Sequence, residues 1–126
     1  KEGLNFNLNN IKKTPNTVLS HLLIKLAKQT NMHNEVKEKI YQAYFVKAHD
    51  IGNKEILINI GAEFNIKEDV INRFFNPDNI EEVNSYIAVA RDKKINGVPF
   101  FEIGKDFISG AQSTTNLENT IRNNLL

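Results

Sequence analysis

Cysteine is absent from all 126 residues. That excludes disulfides, thiolate metal sites and thiol catalysis by the chain's own side chains. Tryptophan is missing too, and there are only three prolines and one methionine. No stretch of about 18 apolar residues occurs, so no segment reads as a membrane-spanning helix. The opening residues lack the basic-then-apolar pattern of a signal peptide. An excess of one charge is also lacking: 16 basic residues face 15 acidic ones, for a formal net charge of +1. The longest basic runs, Lys12-Lys13 and Lys93-Lys94, are two residues each and have no aromatic-rich basic stripe beside them. They read as solvated faces rather than as a nucleic-acid patch. The expectation is a protein with no nucleic-acid partner and no membrane partner, in the cytoplasm.

What is present is the composition of a soluble globular chain, 40% hydrophobic and 25% charged. The length suits one domain, able to bury roughly two thirds of its unfolded surface. Residues 3 to 9 alternate apolar and polar and read as a short strand or an extended lead-in. Pro15 then forces Thr14 to be extended, and Asn16 can cap the helix that follows. Val18, Leu19, Leu22, Leu23 and Leu26 fall on one face of that helix, which ends near Gln29. A second helix is predicted from about Asn34 to Ala48, with Val36, Ile40, Ala43 and Tyr44 inward. Asn53 caps a third, carrying Ile56, Leu57, Ile60 and Phe64. Gly61 inside it costs about 1 kcal/mol against alanine and permits close approach of another helix. A fourth runs from about Lys67 to Phe75. Asp78 with Glu81 resembles a capping-box start for a fifth, with Ile80, Val83, Ile87 and Ala90 inward.

The period then changes. In "KKINGVPFFEIGKDFISGAQ", residues 93 to 112, Val98 to Ile103 is an apolar run, Gly104-Lys105 a tight turn and Phe107-Ile108 a second short strand: a β-hairpin. Ser113 or Thr115 can cap a last helix with Leu117, Ile121 and Leu125 inward, and Thr115 with Glu118 fits a capping box. The predicted order is five helices, one hairpin, one helix. Two strands are marginal alone, while Val98, Phe100, Phe101 and Ile103 suit a strand buried on both faces. Either helices cover both faces of the hairpin, or further strands lie upstream or on another chain.

"INGVPFFEIGKDFISGAQ" followed by an amphipathic helix resembles the C-terminal part of the thioredoxin fold in its DsbA-like form. There a Gly-Val-Pro-Phe-Phe stretch carries a cis-proline, a hairpin follows, and Gly-Ala-Gln leads into the final helix. "EGLNF", "PNTVLSHLLIKLA", "AYFVKAHDIGNKEIL" and "GAEFNI" resemble the helical insertion of the FrnE-like branch, so that the likeness runs from Glu2 to about Leu125. Ser20 stands where that family has alanine, and Leu22 where it often has arginine. The family's opening strand, Cys-x-x-Cys helix start and next strand have no counterpart and are expected before residue 1. The resemblance implies an α/β thioredoxin-like fold of DsbA type, incomplete and mostly helical. Its expected parts are a lead-in (1–15), a helical insertion subdomain (16–95) and a closing ββα part (96–126).

The same resemblance implies a role for each candidate residue. The Val98–Pro99 bond is expected to be cis, with Gly97 leaving room for the reversal and the Val98 backbone aimed at an extended peptide, like an added strand. His21 alone reads as a hydrogen-bonded packing residue; the resemblance turns it toward a cleft near Asn16 and Thr17. Ala111 and Gln112 match a stretch that in glutathione-binding relatives holds a ligand carboxylate on backbone N–H groups; Gln112 by itself reads as part of the helix cap. His33 and His49 lie in turns and read as solvated, and the three histidines show no metal spacing. Tyr41, Tyr44, Phe45, Phe74 and Phe75 read as core, a few of them lining a groove. The implied function is the C-terminal portion of a DsbA-family thiol–disulfide oxidoreductase. Its partners would be protein or peptide disulfides, it would need no cofactor, and its hairpin edge would pair copies of the chain. The alternatives are a glutathione-dependent isomerase or transferase, similar to 2-hydroxychromene-2-carboxylate isomerases, and a non-catalytic interaction domain.

Overall fold

A computed structural model of the chain describes residues 3–125. Glu2, where the family resemblance begins, lies outside the described residues. The chain divides into two compact units, Lys1–Ser85 and Tyr86–Leu126. The helical elements are α1 (Val18–Ala27), α2 (His33–Tyr41), α3 (Lys54–Glu63), α4 (Glu68–Phe74) and α5 (Pro77–Asp92), followed by the strands β1 (Phe100–Ile103) and β2 (Asp106–Ser109) and by α6 (Thr114–Asn123). The order is the predicted one.

In the first unit the apolar stripes of α1 to α4 meet in one core. Leu23, Leu26 and Ala27 of α1, Val36 and Ile40 of α2, Leu57 and Ile60 of α3 and Ile71 of α4 are all buried in it. Gly61 has the predicted purpose: a Cβ there would lie 2.6 Å from Ile71 Cδ1, so its absence lets α4 close on α3. Burying side chains of this size stabilises by about 1.5–3 kcal/mol each. Asn53 caps α3 as predicted, its Oδ1 accepting from the Glu55 N–H at 2.9 Å.

Several local expectations are corrected. Residues 4–7 take no regular secondary structure and run into a single 3₁₀ turn, Leu8–Asn10, so the strand alternative for the lead-in does not hold. That turn is closed by Asn10 Nδ2 donating to Asn7 Oδ1 at 2.7 Å, a local side-chain bond that competes with extension. The second helix is not one α-helix: after Tyr41 it widens into a π-helix, Gln42–Val46. Asn76, not Asp78, caps α5, its Oδ1 accepting from the Asn79 N–H at 2.9 Å. That places Pro77 at the first helical position, where its missing N–H costs nothing. Ser113 caps α6 by accepting from the Asn116 N–H, while Glu118 is drawn off to Arg122 instead of forming a capping box with Thr115.

In the second unit β1 and β2 pair antiparallel, Phe100 opposite Ser109 and Ile103 opposite Asp106. The two-residue turn has positive φ at its first central residue, Gly104 (+60°), as a II′ turn requires. Val98 lies outside β1. The expectation of a strand buried on both faces does not hold among the described residues: Phe100 and Phe101 are half-buried and Phe107 is exposed. Of the predicted inward face of α6, Leu117 is half-buried, and Ile121 and Leu125 are exposed. An apolar pattern states what a face can bury; burial also needs a surface opposite it.

One buried polar contact ties the first unit together. Ser20, 3% exposed, donates from Oγ to the Ile51 carbonyl at 2.6 Å. Ser20→Ala leaves that carbonyl without its donor and is expected to cost about 1–3 kcal/mol. The check is the urea midpoint of the helical circular-dichroism signal; an unchanged midpoint would remove this contact from the account of stability.

Candidate functional site

The first helix begins at a sharp corner. Pro15 fixes the approach; the N-cap of α1 is Thr17, whose side chain makes no cap bond, and Asn16, one residue earlier than expected of a cap, accepts at Oδ1 from the Val18 N–H at 3.0 Å. Thr17, Ser20, His21 and Ile24 follow at the spacing that puts them on one face. On α2 and its π-helical extension, Lys37, Ile40, Tyr41 and Tyr44 repeat that spacing. These two faces, with Thr14, Pro15, Phe45 and Ile51, line a groove of about 550 Å³. Its walls are chiefly apolar. Thr17 and His21 are exposed along it, and Lys37 is half-buried.

The aromatic wall is built by the π-helix. The Lys47 N–H donates to the Gln42 carbonyl, five residues back, at 3.0 Å. This wide turn carries Tyr44 and Phe45, whose rings meet edge to face with centroids 4.8 Å apart. Phe6 of the lead-in stacks on Phe45 at 5.1 Å, and the Asn7 N–H donates to the Phe45 carbonyl at 2.6 Å. Single π turns recur at functional sites because they offset side chains from the helical register. The sequence reading treats these aromatics as core with a few at a groove; Tyr44 and Phe45 are half-buried at the groove and Tyr41 is half-exposed there.

The loop Asp50–Asn53 contributes Ile51 to the groove lining. Asp50 Oδ1 accepts from the Gly52 N–H at 3.0 Å, and Asp50 Oδ2 pairs with Lys13 Nζ at 3.0 Å. A Cβ on Gly52 would lie 2.9 Å from the Asn16 carbonyl oxygen, so only glycine lets the two segments come this close. The hydrogen bond from the Lys13 ammonium, aided by the Gly52 N–H, holds the Asp50 carboxyl below the usual carboxylate range.

The second unit holds the remaining candidates. The Val98–Pro99 peptide bond is cis. Val98 is 91% exposed, and its backbone makes no hydrogen bond to another described residue. The Pro99 carbonyl accepts from the Gly110 N–H at 2.8 Å, which extends the hairpin by one rung. Gly97 has open space around its Cα. Gln112 is part of the cap region: Nε2 donates to the Ser109 carbonyl at 3.1 Å and Oε1 accepts from Asn116 Nδ2 at 2.7 Å. Its neighbour Ala111 is exposed. Asn16 and His21 belong to the first unit, and Gly97, Val98, Pro99, Ala111 and Gln112 to the second.

A family model described as a DSBA-like thioredoxin domain matches residues 1–122. The chain belongs to that family. The fold is accordingly that of a DsbA-like thioredoxin domain, of a family of thiol–disulfide oxidoreductase type. No curated protein matches the chain.

The remaining histidines diverge from expectation in one case. His49 is exposed, as predicted, but His33 is the first residue of α2 and half-buried, with Nδ1 shielded from solvent and without a partner. Among the described residues no group of three or more acidic or histidine side chains is placed to hold a metal. Of the groove's polar residues, Thr14, Ser20 and Lys37 escaped the reading of the sequence. For Ser20 the signal was there: it occupies a buried helix position where a packed helix carries an apolar side chain.

The ion pair gives a pH test. Asp50 binds its proton more weakly folded than unfolded, so its contribution is present above the unfolded value near 3.9. It is lost as pH falls through the lower folded value. Asp50→Asn is therefore expected to destabilise at pH 7 and to differ less from the parent at pH 3. The effect is small because Lys13 is largely exposed. Urea unfolding at the two pH values measures it, and a gap that widens in acid would contradict the assignment.

Proposed function

We propose that this chain recognises substrate within a thiol–disulfide oxidoreductase of the FrnE-like branch. The observation that carries this reading is the exposed Val98 backbone immediately ahead of β1. Val98 has an N–H and a C=O free among the described residues, and β1 pairs on one side only, with β2. An extended polypeptide can add along such an edge through main-chain hydrogen bonds, without regard to its sequence. Disulfide exchange itself needs a thiolate that attacks one sulfur of the substrate and releases the other as thiolate. The 126 residues hold no cysteine, so under this reading the reactive thiols come from outside them. The same open edge, with Phe100 and Phe101 half-buried on its strand, is a hazard for association, and we place there a contact between copies of the chain that covers Phe100 or Phe101.

Two measurements test the reading. The 126-residue chain alone is expected to reduce insulin and oxidise dithiols at the rate of buffer, since none of its residues forms a thiolate. Turnover above buffer would overturn the assignment of the thiols. Titrating the ¹⁵N-labelled chain with an extended peptide is expected to shift the amides of Val98 and of Phe100 to Ile103 more than those of Asp106 to Ser109. Shifts of β2 without β1, or none, would overturn the edge as the recognition surface.

A further inference from the structure

Asn96 is the chain's one asparagine followed by glycine. Such a pair carries a reaction of its own. The Gly97 backbone nitrogen attacks the Asn96 side-chain carbonyl carbon and closes a five-membered succinimide ring. The N–Cγ bond forms, the Cγ–Nδ2 bond breaks, and ammonia leaves with the proton of the Gly97 amide. Water then opens the ring at one of its two carbonyls. Opening at Cγ gives aspartate. Opening at the former main-chain carbonyl gives isoaspartate, with one more carbon in the main chain and a free carboxylate. The balance is water in and ammonia out, with no change of oxidation state and no other reactant.

A folded chain ordinarily blocks this ring closure. Inside a helix the attacking nitrogen is committed to a hydrogen bond and the main chain is fixed. Asn59, Asn72, Asn84 and Asn119 are so placed. The side chains of Asn53 and Asn76 are held as helix caps. Every asparagine other than Asn96 is also followed by a residue whose Cβ crowds the nitrogen.

None of these restraints acts at Asn96. Residues 95 and 96 belong to no regular element, and 97 to 99 form a bend. Asn96 and Gly97 are both exposed. Among the described residues neither the Asn96 side chain nor the Gly97 N–H makes a hydrogen bond. Gly97 has no Cβ, and the space that one would take is empty.

We propose that Asn96-Gly97 is a self-modifying site, at which the folded chain converts through a succinimide to isoaspartate. The product places a carboxylate two residues ahead of Val98. It also defines the class of reaction that consumes it. Transfer of a methyl group from a sulfonium donor to the new carboxylate makes an ester. The Gly97 nitrogen re-closes the ring on that ester, and methanol leaves. The inference concerns the chain's own chemistry and does not rest on disulfide exchange or on recognition by the β1 edge.

The test follows the 126-residue chain through incubation in mildly alkaline buffer. Trypsin, cutting after Lys94 and Lys105, releases residues 95–105, in which Asn96 is the only asparagine. That peptide is expected to show the mass gain of amide turned to acid before any other asparagine-containing peptide does. It is also expected to accept a labelled methyl group from an isoaspartyl carboxyl methyltransferase. Gly97→Ala is a clean variant, because the added Cβ meets nothing within 4 Å. It is expected to slow the conversion about tenfold or more, which is about 1.4 kcal/mol in the barrier. The free synthetic peptide of residues 95–105 is expected to convert within about tenfold of the rate in the folded chain. Earlier conversion at another asparagine, an unchanged rate in Gly97→Ala, or a folded chain much slower than the free peptide would overturn the proposal. So would a gain in mass without methyl acceptance, which would mean direct hydrolysis of the side chain without the ring.

Discussion

The geometry of the first unit hangs on the seam where the chain before α1 meets the chain before α3. Ser20 reaches across it to the Ile51 carbonyl, Gly52 lies against the Asn16 backbone, and Lys13 pairs with Asp50. The three contacts differ in kind and in strength. The exposed ion pair contributes little because water screens it. The Ser20 bond is buried, so breaking it exposes no alternative partner for the carbonyl. The Gly52 contact is steric and allows no side chain at all. Together they set where α1 begins relative to the loop, and with that the placement of Thr17 and His21 at the mouth of the groove.

The opposite wall has a different origin. A continuous α-helix from His33 onward would keep its apolar stripe facing inward through Ala43 and Tyr44. The π turn inserts extra chain at that point, so Ala43 stays buried while Tyr44 and Phe45 reach only partial burial. The turn closes with the His49 N–H on the Ala43 carbonyl and with Ala48 at a φ of +54°, a conformation in which glycine is the usual residue. A non-glycine residue there costs roughly 1–2 kcal/mol. The stacking of Phe6 on Phe45 and the burial of Ile51 offset that cost, so the groove's aromatic wall is maintained by contacts from both flanking segments.

These origins explain what could be read in the residues alone. The helices were legible because Leu22, Leu23, Leu26, Val36, Ile40, Leu57 and Ile71 recur with helical period, and each found a core. The caps at Asn53 and Ser113 were legible because Asn and Ser accept from the first-turn N–H groups whatever the tertiary setting. The turn at Gly104 was legible because few other residues take its φ. The π turn was not, since nothing local in Gln42–Val46 asks for it; a partner thirty-odd residues away, Phe6, completes it. The cap of α5 was misplaced by two residues because Asp78 and Glu81 fit a capping box, whereas Pro77 makes Asn76 the better cap. Val98, Phe100, Phe101 and Ile103 suit a strand buried on both faces, but an apolar run reports what a strand can bury and not its neighbours, and among the described residues β1 pairs with β2 alone.

The second unit shows how a hairpin of four-residue strands is held without a large core. Two carboxamide side chains, one glutamine and one asparagine, clamp it to α6, one at each end. Gln112 spans from the Ser109 carbonyl, where β2 ends, to Asn116 in the first turn of the helix. Asn124, just past the helix, donates to Asp106 Oδ2 at 2.8 Å and accepts from the Lys105 N–H at 3.3 Å. Gly104 then serves twice, giving the turn its positive φ and leaving space that Asn124 fills. Polar clamps of this kind set register without burying apolar area, and they leave Val98, Phe107, Ile121 and Leu125 exposed. A hairpin ordered by its turn and its clamps can keep its register with apolar side chains exposed, which a strand ordered by burial could not.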